Sequence, residues 1–170
     1  MPDQPEKTGE RPQNDGFTMI EMMAVLAVLA ILALIAAPSY LNKFVRDQVA
    51  EALPLADIVK TPVAASWTGT QSFPADNAAA GLPAADKIVN NFISSVSVEG
   101  GAIHITFGNR ANGSLKGKIL TLRPAVVTDA PIVPVTWVCG YAAAPDKMTI
   151  QGQNKTNIPM IDLPSKCRSG

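Results

Sequence analysis

Three places in this 170-residue chain hold residue types whose chemistry asks for an explanation. The first is Gly16-Phe17-Thr18-Met19-Ile20-Glu21, where a carboxylate stands just inside a run that is otherwise apolar to Ala37. An ionised carboxylate in such a run costs several kcal/mol unless it has a partner or reaches the water interface, so Glu21 is a functional candidate by default. The second is the pair Cys139 and Cys167, with 27 residues between them. The third is the lone histidine, His104, with a scatter of lysine and arginine at Lys147, Lys155, Lys166 and Arg168. Nucleophilic catalysis needs a nucleophile set on an elbow beside the histidine, and no such motif is present. His104 therefore reads as a solvent-facing or satisfied side chain. One histidine and two cysteines without clustered spacing argue against a zinc site, and no other metal or cofactor motif is found. The four basic residues could touch phosphates, but Asp146 and Asp162 are interspersed and the formal net charge of the whole chain is zero, which reads as a solvated loop. Asn112-Gly113-Ser114 and Asn154-Lys155-Thr156 match the glycosylation sequon, a short and common pattern. Trp67 and Trp137 read as packing residues.

These groups must be positioned by regular elements. From Phe17 to Ala37 only Thr18 and Glu21 interrupt the apolar residues. A helix of that length covers about 30 Å, the thickness of a bilayer core. A cleaved secretory signal fits poorly. Its apolar core is shorter and follows a basic start, whereas residues 1–16 set Asp3, Glu6, Glu10 and Asp15 against Lys7 and Arg11. Pro38 marks a kink or break. Beyond it Leu41, Phe44, Val45, Val49, Ala52, Ala56, Val59 and Val63 recur mostly at three- and four-residue steps, a helical stripe. Lys43, Arg46, Asp47, Glu51, Asp57 and Lys60 fall off it. The pattern predicts one helix from near Phe17 to near Ser66, apolar all round in its first half and amphipathic in its second. Pro54 and Pro62 would kink it or, at Pro62, stop it.

An amphipathic helix needs a surface to lie on. After a loop from about Thr68 to Asp86, the pattern moves to period two. Ser94–Gly101 and Ala102–Gly108 alternate about Gly100-Gly101 and read as a hairpin. Asn109–Gly117 reads as a loop, and Lys118–Val127 and Val135–Tyr141 as two further strands. Ile103, Ile105, Phe107, Ile119 and Val138 are candidates for the helix-facing side. The expected fold class is α+β, a long N-terminal helix packed on a four-stranded antiparallel sheet.

The stretch G-F-T-M-I-E, followed by the unbroken apolar run and Pro38, resembles the class III signal of type IV prepilins. ISSVSVEGGAIHITFG, LKGKILTLRP and VTWVCGY resemble the strand segments of type IVa pilins in order and spacing, so the likeness covers nearly all of the chain beyond residue 16. The leader departs from the family habit: it has 16 residues and ends Asn14-Asp15-Gly16 rather than in a basic residue before glycine. The resemblance implies a leader at 1–16, a transmembrane and filament-core segment at 17–38, an amphipathic half-helix at 39–66 and a globular head at 67–170. It implies that a prepilin peptidase cuts between Gly16 and Phe17 and methylates the new amine. Glu21 would then pair with the Phe17 amine of a neighbouring subunit. Cutting there removes 2 of 14 basic and 4 of 14 acidic residues and leaves 12 facing 10, about +2.

By the same resemblance the product is a structural subunit, not an enzyme. It would be held in the inner membrane as precursor and displayed on an extracellular pilus when mature. Its partners would be other pilin subunits, the peptidase, an inner-membrane assembly platform and an outer-membrane secretin, with nucleic acid a weaker possibility. Adhesion, motility or DNA uptake would follow from the filament. A head on the periplasmic side would meet an oxidising compartment, where Cys139 and Cys167 are expected to form a bridge around the family's variable D-region. Three alternatives stand beside this reading: a minor pilin that primes assembly or binds DNA, a type II secretion pseudopilin, and a membrane-anchored periplasmic binding domain that does not polymerise. The missing cluster of carboxylates for calcium speaks against the pseudopilin.

Overall fold

A computed structural model describes residues 16–169. The proposed leader lies outside the described residues except for Gly16. The chain forms two compact units, one ending at Pro38 and one beginning at Ser39. Helix α1 (Met19–Thr70) supplies all the regular structure of the first and the opening element of the second.

In the first unit the reason for helix is composition. Leu, Ala, Val, Ile and Met fill Met19–Ala36, mean hydropathy is 2.7, and none of it is buried within the chain. A helix satisfies every backbone group internally, so it is the form in which such a segment can sit in lipid or among other helices.

In the second unit the stripe does its predicted work. Val49, Ala52, Ala56, Val59 and Val63 are wholly buried, and Val45 and Leu53 nearly so. Phe44, placed on the stripe by its spacing, is instead half exposed, and Gln48 is buried in its neighbourhood. Gln48 Oε1 accepts a hydrogen bond from the Asn112 amide at 2.8 Å and so ties the helix to the loop after the hairpin. Neither Pro54 nor Pro62 stops the helix. Each removes one donor, but the carbonyls deprived of it belong to Ala50 and Ile58, both on the exposed face where solvent replaces it. The helix ends four residues beyond the expected Ser66, at Thr70, where Gln71 takes a left-handed conformation (φ 54°) and its amide donates to the Trp67 carbonyl at 2.9 Å.

The sheet runs β1 (Ile93–Glu99), β2 (Ala102–Phe107), β3 (Ile119–Val126) and β4 (Thr136–Cys139) in spatial order, all antiparallel. A short β5 (Thr149–Ile150), beyond the four expected strands, pairs with the end of β3. Two residues are too few to show alternation. The β1–β2 turn is Gly100-Gly101 with φ of 55° and 82°, the doubly left-handed pair that a two-residue hairpin needs. A side chain at Gly101 would also strike the Phe73 ring, 2.6 Å from where its Cβ would stand.

Val96, Val98, Ile103, Ile105, Phe107, Leu120 and Leu122 form the sheet side of the core with α1. Two candidates fall on the other face. Ile119 pairs with Thr106 and is half-buried; Val138 pairs with Arg123, while its neighbour Cys139, opposite Leu122, joins the core. Period two makes a one-residue offset reverse the face, and the apolar residues on both sides of β3 and β4 hid the phase. The outer face is itself partly covered, because His104, Thr121 and Ala125 are buried too.

Candidate functional site: an N-terminal processing and assembly segment

Gly16 and Phe17 precede α1 and are exposed, Phe17 to 83%. Thr18 closes the first turn of the helix. The Thr18 amide and hydroxyl both donate to Glu21 Oε2, each at 2.8 Å, and the Glu21 amide donates back to the Thr18 hydroxyl at 3.3 Å. This is a capping box: Ser or Thr at the N-cap with Glu three residues on satisfies donors that a helix start leaves orphaned. Thr-x-x-Glu before an apolar run is its signature in sequence, and it gives Glu21 a partner within its own chain besides the one expected in a neighbour. Glu21 therefore has a local task. Both recorded bonds fall on one carboxylate oxygen, so its negative charge stays available at the mouth of the helix, where it also opposes the positive end of the helix dipole.

Beyond the box, the apolar side chains from Met19 to Ile35 point outward on all sides and stand exposed. An exposed apolar surface of this extent marks contact with lipid or protein.

In the second unit Cys139 and Cys167 are joined by a disulfide. Cys167 is wholly buried against the core, and its carbonyl accepts from the Tyr141 amide at 3.0 Å. The bridged segment is held to β3 by side chains. Thr156 Oγ1 accepts from the Thr121 amide at 3.0 Å, and Asn157 Oδ1 accepts from the Ile119 amide at 2.6 Å. Tyr141 Oη donates to the Thr156 carbonyl at 2.8 Å. Asn154 Nδ2, the sequon nitrogen, donates to the Gly140 carbonyl at 2.9 Å and is committed to the fold.

His104 is neither solvent-facing nor fully satisfied. It is 3% exposed, its Nδ1 lies 3.0 Å from Thr121 Oγ1, and its Nε2 has no hydrogen-bond partner among the described residues. Two of the four scattered cations are engaged within the chain: Lys155 pairs with Glu99, and Arg168 donates from Nε to the Leu163 carbonyl at 2.8 Å. Lys147 and Lys166 are exposed. Trp67 stacks on Phe73 with ring centroids 5.0 Å apart, a packing role. Among the described residues no group of His, Cys, Asp and Glu is arranged to hold a metal ion.

Comparison with known proteins decides what this arrangement belongs to. Residues 45–168 match the family model described as pilin (bacterial filament). This chain belongs to the type IV pilin family. Residues 11–37 of the pilin match the prokaryotic N-terminal methylation motif. The pilin is similar to a type IV major pilin protein, PilE, of Neisseria gonorrhoeae, 35% identical over 90% of this chain and 93% of the relative. It is similar to a fimbrial protein of Neisseria meningitidis serogroup B, 33% identical over the same shares. It is also similar to the fimbrial protein EcpC of Eikenella corrodens, 40% identical over 91% of this chain and 90% of the relative. The pilin is thus a structural subunit of a pilus, with the long helix and antiparallel sheet of its family. The pseudopilin and the non-polymerising binding domain are not favoured.

Proposed function

We propose that this pilin is the main subunit of its filament, cut between Gly16 and Phe17 by a prepilin peptidase, methylated at the Phe17 amine and polymerised through its apolar half-helix. On this reading residues 1–16 are the leader. Residues 17–38 anchor the precursor in the inner membrane and then form the filament core. Residues 39–66 carry the head, 67–170, which faces outward.

The observation that carries the cut is the match of residues 11–37 to the prokaryotic N-terminal methylation motif, which spans Gly16 and Phe17. Both residues are exposed ahead of α1, where another molecule can reach them. Glu21 supports the assembly step. The Phe17 amine and the Glu21 carboxylate are each costly in an apolar filament core, and each supplies what the other lacks. Assembly through an inner-membrane platform and an outer-membrane secretin, and adhesion, motility or DNA uptake by the finished fibre, belong to the same reading. The relatives named major pilins favour an abundant subunit over a minor one.

Mass spectrometry of protein sheared from native cells tests this. An abundant chain starting at N-methylated Phe17 is expected. An intact Met1 start confined to the membrane fraction would overturn it, and the mature chain in trace amounts would make it a minor pilin. Gly16→Leu should leave the head's thermal unfolding unchanged and abolish the mature form.

A further inference from the structure

His104 stands on β2 between two residues that the bridged segment holds at once. On the β3 side, the Lys155 main-chain amide donates to Thr121 Oγ1 at 3.0 Å. On the β1 side, the Lys155 ammonium pairs with the Glu99 carboxylate. Glu99 and Thr121 neighbour the His104 position on either side, since β1 pairs Ser97 with His104 and β2 pairs His104 with Thr121. Lys155 thus clasps the outer face of the sheet across a buried imidazole.

We propose that this clasp is an acid-sensitive latch, in which protonation of His104 releases the Lys155–Thr156 stretch from the outer face of the sheet while the Cys139–Cys167 bond keeps the segment tethered.

The Glu99 carboxylate selects the tautomer. A threonine hydroxyl has one proton and two lone pairs. Thr121 Oγ1 accepts from the Lys155 amide on one lone pair and lies 3.0 Å from His104 Nδ1, a contact that suits either tautomer, and with the carboxylate beside Nε2 the hydroxyl is the donor to Nδ1. The imidazole proton then lies on Nε2, facing the Glu99 carboxylate at 3.7 Å, beyond hydrogen-bond length but with the attractive sign. The reverse tautomer would aim a lone pair at that carboxylate. Protonation adds a hydrogen to Nδ1 along the line the Thr121 hydroxyl proton occupies. That hydroxyl must turn, so that its oxygen accepts from Nδ1 and from the Lys155 amide at once and its own proton loses its partner. The imidazolium then competes with the Lys155 ammonium for Glu99.

Two charged groups act on His104: Glu99 from β1 and Lys155 from the bridged segment. On β3 the neutral Thr121 hydroxyl faces it, and Arg123, two residues along the same face, directs its Nη2 to the Gly140 carbonyl at 3.2 Å. Burial holds the His104 pKa below its usual value, the Lys155 charge adds to this, and Glu99 opposes it. The Glu99 carboxyl is itself held low by the Lys155 hydrogen bond and charge, so it stays ionised through the relevant range. The sign follows. With the closed state preferring neutral histidine, its stability is complete above about pH 6.5, the ordinary histidine value, and falls as the pH drops below it.

Hydrogen exchange of the full oxidised chain in detergent, corrected for the intrinsic pH dependence of exchange, reads the latch directly. Between pH 7.5 and pH 5, protection around Lys155–Asn157 should fall by about tenfold per pH unit once below about 6.5, while β1–β2 amides near Val96 and Ile105 hold. His104→Gln keeps an acceptor for the Thr121 hydroxyl but does not titrate, so its protection should be flat with pH. Equal loss in that variant, or no loss in the native chain, would overturn the proposal. If His104→Gln does not fold, two variants at exposed side chains decide. Lys155→Met removes the nearby positive charge and should move the titration of the His104 imidazole, read by NMR, up in pH; Glu99→Gln should move it down. A His104 titration that stays put, or moves the same way in both, would also refute the latch.

Discussion

Glu21 illustrates how one side chain can hold two tasks. Within the chain it completes a capping box with Thr18; between chains it is proposed to meet an amine. The tasks separate by substitution. Glutamine serves at the third helical position of a capping box as glutamate does, but it carries no charge. Glu21→Gln should therefore leave the helix start intact and reduce filament yield sharply. Thr18→Ala should weaken the helix start by about 1 kcal/mol and reduce filament yield far less. Shear-released pilin measured on gels checks both, with circular dichroism of the detergent-solubilised chain as the control. Equal yields from Glu21→Gln and the native chain would sink the intersubunit pairing. The carboxylate's position was legible because a charge stands out against an apolar run. Its local partner was legible too, as Thr-x-x-Glu. The His104 clasp was not legible, because Glu99, Thr121 and Lys155 come from three segments that only the strand register brings together.

At the scale of the element, α1 carries a legible stripe because burial on a helix follows its 3.6-residue period. Five of the eight stripe residues, Val49, Ala52, Ala56, Val59 and Val63, are wholly buried. The failures differ in cause. Phe44 lies near the start of the stripe and is half exposed, beside the buried Gln48, while Ile119 and Val138 sit on strands apolar on both faces. Where a strand has no polar side, its pattern cannot say which side is in. The prolines misled for a different reason: a lost donor matters little when the orphaned carbonyl faces solvent. Position on this frame sets the cost of substitution. Leu120→Ala empties a wholly buried site and should cost about 2–5 kcal/mol. Ile58→Ala, on the outward face of α1 at 64% exposure, should change head stability by no more than about 0.5 kcal/mol. Denaturant unfolding of the detergent-solubilised chain measures both. A filament defect in Ile58→Ala without loss of stability would mark that face as a contact between subunits.

In the molecule as a whole, regular structure thins out after β4, and the described residues beyond Cys139 contain one two-residue strand and two short 3-10 turns. Periodicity had nothing to report there. What orders this stretch is the disulfide and a set of side-chain bonds to β3 and Gly140. Replacing Cys139 and Cys167 together by serine should cost about 3–4 kcal/mol in the chain-entropy view of a loop this long. Proteolytic nicking between Ala142 and Lys166 should then precede loss of the β1–β2 hairpin. Simultaneous loss would mean that the bridge sustains the entire head. At the opposite border of the sheet, β1 is finished by a side chain. The Asn77 amide donates to the Val96 carbonyl at 3.0 Å, and its oxygen accepts from the Val98 amide at 2.6 Å, standing where a further strand would hydrogen-bond. Fibre subunits are crowded copies of one sequence, the condition under which open strand borders fuse into amyloid. With that stretch of β1 occupied by its own chain, crowded heads are denied sheet-to-sheet growth there, and the order of the fibre is left to its helices.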